Sequence, residues 1–139
     1  MALFLLDTTT ITHLQRNHPK VTAALAAHAT EVVAICSVNV EESLGGWFHL
    51  LRQARAPEEQ AHIARLLTDG VAYLARFPLV PISEPAIHRY ASLKKLKLNV
   101  GSDDLRLGAM ALESAATVVT NNARDFGRIP GLAWVDWTA

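Results

Sequence analysis

One cysteine, Cys36, stands in a chain of 139 residues. That scarcity excludes an intrachain disulfide, a zinc ribbon and a thiol redox pair, and an apolar strand is the natural place for a single buried thiol. No apolar run is long enough to span a membrane, and the start Met1-Ala2-Leu3-Phe4-Leu5-Leu6-Asp7 lacks the basic residues and cleavage site of a signal peptide. A soluble cytoplasmic protein is the expectation. Charge of either sign is not in excess: 13 basic residues balance 13 acidic ones, so bulk charge would not drive indiscriminate binding to nucleic acid. The six histidines are scattered, with no His-Glu-x-x-His pair. Also missing are a Gly-Lys-Ser/Thr phosphate loop, a dinucleotide fingerprint and a nucleophile elbow around Ser37, Ser43, Ser83 or Ser102. Nucleotide cofactors and serine hydrolysis are excluded.

What remains is a chain half apolar and about a fifth charged, the size of one domain spanning residues 1–139. Short apolar runs at Leu3–Leu6, Val32–Cys36, Leu79–Ile82, Thr117–Thr120 and Ala133–Val135 read as strands. Between them lie helical patterns: a short one carrying Ile11 and Leu14, an alanine-rich piece from Val21 to His28, and one from Val40 through Leu44, Trp47, Phe48 and Leu51. Another opens at Pro57, making a helical hairpin after the second strand, one follows Pro85 to about Lys97, and Ser102 caps the last. Strands alternating with helices predict an α/β fold, a central parallel sheet of four to five strands flanked by helices. The face made by Trp47, Phe48, Leu50 and Leu51 reads as core, or as a groove for a partner helix or a second copy.

Acidic residues stand at or just beyond the ends of several runs: Asp7, Glu41 and Glu42, Asp103 and Asp104, and Asp125. In a parallel sheet, ligands sit beyond the carboxyl ends of the strands. Carboxylates gathered there offer the hard oxygen ligands that Mg²⁺ or Mn²⁺ takes, and metal-assisted phosphodiester hydrolysis is the leading chemistry. Asp7 also suits a helix cap. The inward stripe Leu105, Gly108, Ala109 and Leu112 sets Asp104 beside it and Asp103 nearly opposite, so Asp104 is read as ligand and Asp103 as a solvated cap. Periodicity does not choose between Glu41 and Glu42, and Asp125 reads equally as a loop residue or a ligand. Cations are enriched nearby, with Arg106 beside Asp104 and with Arg124 and Arg128 flanking Asp125.

Several blocks together resemble a known family. They are Leu5-Leu6-Asp7-Thr8, Val38-Asn39-Val40-Glu41-Glu42-Ser43-Leu44-Gly45-Gly46-Trp47, Asp104-Leu105-Arg106-Leu107-Gly108-Ala109-Met110-Ala111-Leu112, and Val119-Thr120-Asn121-Asn122-Ala123-Arg124-Asp125-Phe126 with Ile129-Pro130-Gly131-Leu132. In this order they are similar to the PIN-domain ribonuclease toxins of VapC type. The resemblance implies a PIN fold, Mg²⁺- or Mn²⁺-dependent endoribonuclease activity, a homodimer and a cognate antitoxin that covers the site. It places the family acids on Asp7, Glu42, Asp104 and Asp125, choosing Glu42 because the family glutamate stands four residues before the glycine found here at Gly46. It implies pocket-lining roles for Thr120 and Asn122 and contact with RNA phosphate for Arg124, while Thr8, directly after Asp7, and Arg106, beside Asp104, are read into the same two roles from their places in the sequence. Two positions depart from the pattern: Thr9 replaces an Asn or Asp, and Gly108-Ala109 replaces an Ala-Ala pair.

Competing expectations are an RNA-binding PIN-like module without turnover and a metal-dependent phosphatase. The latter wants a second aspartate where Thr9 stands, and a receiver-like module wants one where the third strand gives Pro81-Ile82-Ser83.

Overall fold

The computed structural model describes residues 2–139. In chain order its elements are β1 (Leu3–Leu6), α1 (Thr8–Gln15), α2 (Pro19–Ala27), β2 (Val32–Cys36), α3 (Ser37–Gln53), α4 (Pro57–Leu74), β3 (Leu79–Val80), α5 (Glu84–Lys94), α6 (Ser102–Ser114), β4 (Thr117–Val119), α7 (Ala123–Phe126) and β5 (Ala133–Val135). The five strands form one parallel sheet in the order β3-β2-β1-β4-β5. This is the α/β architecture expected, with all five strands present.

The strands are apolar throughout because the sheet is covered on both faces. Successive side chains point to opposite sides, so Leu5 joins Ala86, Leu93, Leu105 and Ala109 under α5 and α6. Leu6 joins Ile11, Leu14, Val21, Leu74 and Trp137 under α1, α2 and the end of α4. Both leucines are fully buried, and each contributes about 2 kcal/mol by leaving water. Cys36 is a buried free thiol at the end of β2, as expected.

The third strand is shorter than its apolar run. Pro81 has no N–H to give to the ladder, and the Ile82 N–H turns instead to the Ser37 hydroxyl at 2.9 Å. Helix α5 ends at Lys94, short of the expected Lys97. Lys97 and Asn99 take positive φ angles of 53° and 61°, which a continuing helix does not allow.

The hairpin after β2 is α3 against α4, with Trp47 packed directly on Gly70. Carbons of the indole six-membered ring occupy the place a Cβ at Gly70 would need, so only glycine permits this crossing. The ring is bulky, and any Cβ must displace Trp47 or push the helices apart. Gly70→Ala is therefore expected to lower unfolding free energy by about 2 kcal/mol, overpacking outweighing the gain in helix propensity, as read from urea denaturation. Gly108 plays a similar part in α6. Its missing Cβ would lie 2.6 Å from Ile129 Cδ1, so the glycine that replaces the alanine of the resembled pattern makes room for the segment after α7.

Among the described residues no helix is long and apolar enough to cross a membrane.

Candidate active site

The carboxyl ends of β1, β2 and β4 open on one side of the sheet, and the acids reach that opening from four elements. Asp7 is the first residue after β1. Its backbone N–H donates to the Val119 carbonyl at 3.0 Å, extending the β1–β4 pairing by one residue. Its Oδ1 accepts from the Thr10 N–H at 2.8 Å and so caps α1. The cap engages only one of the two carboxylate oxygens, so capping by itself does not use up Asp7. Asp7 is only 4 % exposed.

Glu42 extends from the second turn of α3. Burial raises its pKa above the usual carboxylate range, the neighbouring Thr8 hydroxyl opposes the rise, and the charges of Asp103 and Asp7 add to it. Glu41 instead pairs with Arg106 at 2.9 Å and is not among the charges that act on Asp104. The geometry therefore separates the two glutamates where periodicity does not.

Asp104 lies in the first turn of α6 and is half-buried. Its pKa is pushed up to about 6, first by loss of solvent and then by Asp7, Glu42, Asp125 and Asp103. Carboxylates whose charges bear on Asp104 in this way share one electrostatic site with it.

Asp125 sits in α7 rather than in a loop, because Asn122 starts that short helix: its Oδ1 accepts from the Asp125 N–H at 3.4 Å. The Asn122 Nδ2 donates to Asp125 Oδ2 at 3.0 Å, while Arg128 approaches Oδ1 at 3.5 Å and also donates to the Asn99 carbonyl at 2.9 Å. Thr120, fully buried, supports the turn by accepting from the Asn122 N–H at 2.9 Å.

Three expectations change. Asp103 is not a solvated cap facing away; it lies beside Glu42 and pairs with Arg106. The wheel follows one helix about its own axis, and the first turn of α6 meets α3 as well as the sheet, so two of its sides are covered. Arg106 does not present an open fork to RNA, because Glu41 and Asp103 engage its two terminal nitrogens, making it a tie between α3 and α6. Ser102 does not cap α6, whose N-cap is Gly101. Arg124 is exposed on α7.

Sequence reasoning gave no role to Asn39 and only a rim position to Arg128. For the second the usable signal was opposite charge three residues apart, close enough to meet across the turn that follows Phe126. For Asn39 the signal was its place three residues after the end of β2, where a side chain can turn back onto a helix start.

Thr8 and Glu42 also line a cleft of about 480 Å³ running away from the acids, with Arg16 on one side and Gly46, Trp47 and Leu66 on the other. Among the described residues no three Asp, Glu, His or Cys side chains form a ready-made metal cage. An open, all-oxygen, mutually repelling donor set fits Mg²⁺ or Mn²⁺, which bind through few carboxylates and retain waters. It does not fit a closed tetrahedral zinc site.

The chain was compared with known proteins. The family model described as PIN domain matches residues 4–132. Ribonuclease VapC1 of Haemophilus influenzae is 28% identical over 141 residues, covering 98% of both chains. The tRNA(fMet)-specific endonuclease VapC of Salmonella typhimurium is 28% identical over 141 residues, covering 99% of both. Among solved structures, DNA-bound VapBC from Salmonella typhimurium superposes with a TM-score of 0.76 at 26% identity, covering 99% of both chains.

Proposed function

The chain belongs to the PIN-domain family, and from that premise we propose that it is a divalent-metal-dependent endoribonuclease, the toxin of a VapBC-type toxin–antitoxin pair acting in the cytoplasm. We take residues 1–139 as one PIN unit. The observation that carries the reading is the meeting of Asp7, Glu42, Asp104 and Asp125 in one electrostatic site, with Asp104 pushed up to about 6 by the other acids and by burial. Such an arrangement is costly without a cation and purposeful with one.

Asp7, Glu42, Asp104 and Asp125 would hold Mg²⁺ or Mn²⁺. A bound ion would supply acidification of a water and relief of charge on the phosphoryl oxygens. The chain's own residues supply the rest. A water held among the carboxylates attacks phosphorus in line with the departing oxygen and loses a proton to a pocket carboxylate. The bond from phosphorus to the departing oxygen breaks, and that oxygen keeps the electron pair and takes a proton from solvent. Asn122 fixes the Asp125 carboxylate, Thr120 fixes Asn122, and Arg124 meets a flanking phosphate. The cleft beside Thr8 and Glu42 takes the strand leading to the scissile bond.

The antitoxin and a second copy of the chain are the protein partners of this reading. The exposed side chains of Phe48 and Leu50 on α3 offer apolar surface for such contacts.

The test is cleavage of RNA by the purified chain freed of any antitoxin. Mg²⁺ or Mn²⁺ is expected to support cleavage and EDTA to stop it. Binding without product would indicate an RNA-binding module instead. Gly46→Leu probes the cleft separately. Gly46 lines the cleft and a Cβ there meets no protein atom within 4 Å, so a longer side chain is expected to narrow the cleft. KM for RNA is expected to rise roughly tenfold with kcat little changed, the mark of lost uniform binding. Thermal stability should hold or improve, since glycine is the poorer helix former.

A further inference from the structure

Asn39 is 2% exposed, and the chemistry above makes no use of it. A buried amide must have its donors and acceptor matched. Its Oδ1 accepts from the Cys36 backbone N–H at 2.9 Å. A backbone N–H only donates, so this contact fixes which end of the amide is oxygen. The nitrogen end then faces Thr8 Oγ1 at 3.2 Å and donates to it. A hydroxyl has one hydrogen, and the Thr8 hydroxyl, already accepting from Asn39, is left to give that hydrogen to another group. Glu42 lines the same cleft as Thr8, and its carboxylate is the acceptor that the hydroxyl acts on there.

We infer that Asn39 is a positioning residue: by donating to Thr8 it turns the Thr8 hydroxyl hydrogen onto the Glu42 carboxylate and holds that carboxylate in one orientation at the pocket. The inference rests on the metal-dependent reading of the site and adds to it the residue that aims one ligand. The relay runs from the end of β2 through the first turn of α3 to the start of α1 and back to α3. It supplies what Glu42 lacks on its exposed helical turn, a fixed donor from the protein. Outer partners of this kind hold ligating carboxylates in place, and their loss typically costs ten- to a hundredfold in metal affinity.

The competing explanation is that Asn39 merely caps α3, and a double-mutant cycle separates the two. Mn²⁺ binding is measured by the electron paramagnetic resonance signal of free Mn²⁺, and stability by the thermal midpoint in EDTA. Thr8→Val is expected to weaken Mn²⁺ binding about tenfold, and Thr8→Ser, which keeps the hydroxyl, to bind like wild type. Asn39→Ala should weaken binding by a similar factor alone and add nothing in the Thr8→Val background, while lowering the thermal midpoint equally in both. Equal weakening by Asn39→Ala in both backgrounds, or wild-type affinity in Thr8→Val, would overturn the relay. Thr8→Val leaves the α3 cap intact and decides the matter even where Asn39→Ala does not fold. A wild-type chain that binds no Mn²⁺ would overturn the metal reading itself, and the relay with it.

Discussion

Asp104→Asn is expected to abolish RNA cleavage while making the metal-free protein more stable. The two effects have one cause. The Asp104 carboxyl titrates at about 6 in the folded chain against an ordinary value of 3.8, because burial and then Asp7, Glu42, Asp125 and Asp103 disfavour its charge. At neutral pH the folded protein must hold that charge against its surroundings. For a half-buried group that solvent partly screens, the cost is of order 1 kcal/mol. Asparagine has the same shape and no charge, so the cost disappears, and the thermal midpoint in EDTA should rise by about 3 °C. With the charge goes a ligand for the cation, and cleavage should fall about a hundredfold or more, with kcat rather than KM carrying the loss. Differential scanning fluorimetry in EDTA and single-turnover cleavage in Mg²⁺ read the two halves separately. Wild-type cleavage by Asp104→Asn would remove the residue from the site. A loss of both stability and activity would make it a structural residue instead. Stability gained where activity is lost is the expected pattern for a functional carboxylate.

The sheet was legible because its signal is local. Leu3–Leu6, Val32–Cys36 and Ala133–Val135 are strands at the bounds read from their apolar runs, and the alternation of strand and helix leaves a parallel sheet as the natural solution. Misreadings fall where a single backbone group decides. Pro81 stops β3 for want of an N–H, and Asn122 makes a helix of a stretch whose polar residues and glycine read as loop. The acids themselves were legible as residue types, but their relations were not. Helical angle places Asp104 toward the core correctly, yet it misses Asp103 beside Glu42, because that contact belongs to α3 packing on α6 and appears in neither helix alone. Arg106 shows the same limit. Next to Asp104 in sequence it looks like a phosphate ligand; in space Glu41 and Asp103 engage it. The choice of Glu42 over Glu41 came from family resemblance, and Arg106 supplies its physical counterpart by drawing Glu41 aside.

Stability and metal binding should respond to pH in opposite senses. Asp104 has a folded value near 6, above its unfolded value near 4, and Glu42 is also raised, first by burial. Between those values the folded state holds more protons than the unfolded state, so this contribution to stability falls as pH rises from about 4 to about 6 and is level above. The metal-free protein should therefore lose of order 1 kcal/mol across that window after solvent screening, and Asp104→Asn should flatten the slope. A divalent cation needs the ionised carboxylates and must displace the proton below pH 6. Its apparent affinity should drop about tenfold per pH unit for each proton displaced. The thermal shift produced by saturating Mg²⁺ at pH 7.5 should accordingly shrink toward zero at pH 5, and cleavage should climb through the same interval. Thermal midpoints with and without Mg²⁺ across this range test the linkage directly. A metal-induced shift as large at pH 5 as at pH 7.5 would mean that the cation does not bind where Asp104 and Glu42 titrate. A shift that follows their titration would mean that the repulsion built into the folded chain is relieved by the ion the site is shaped to take.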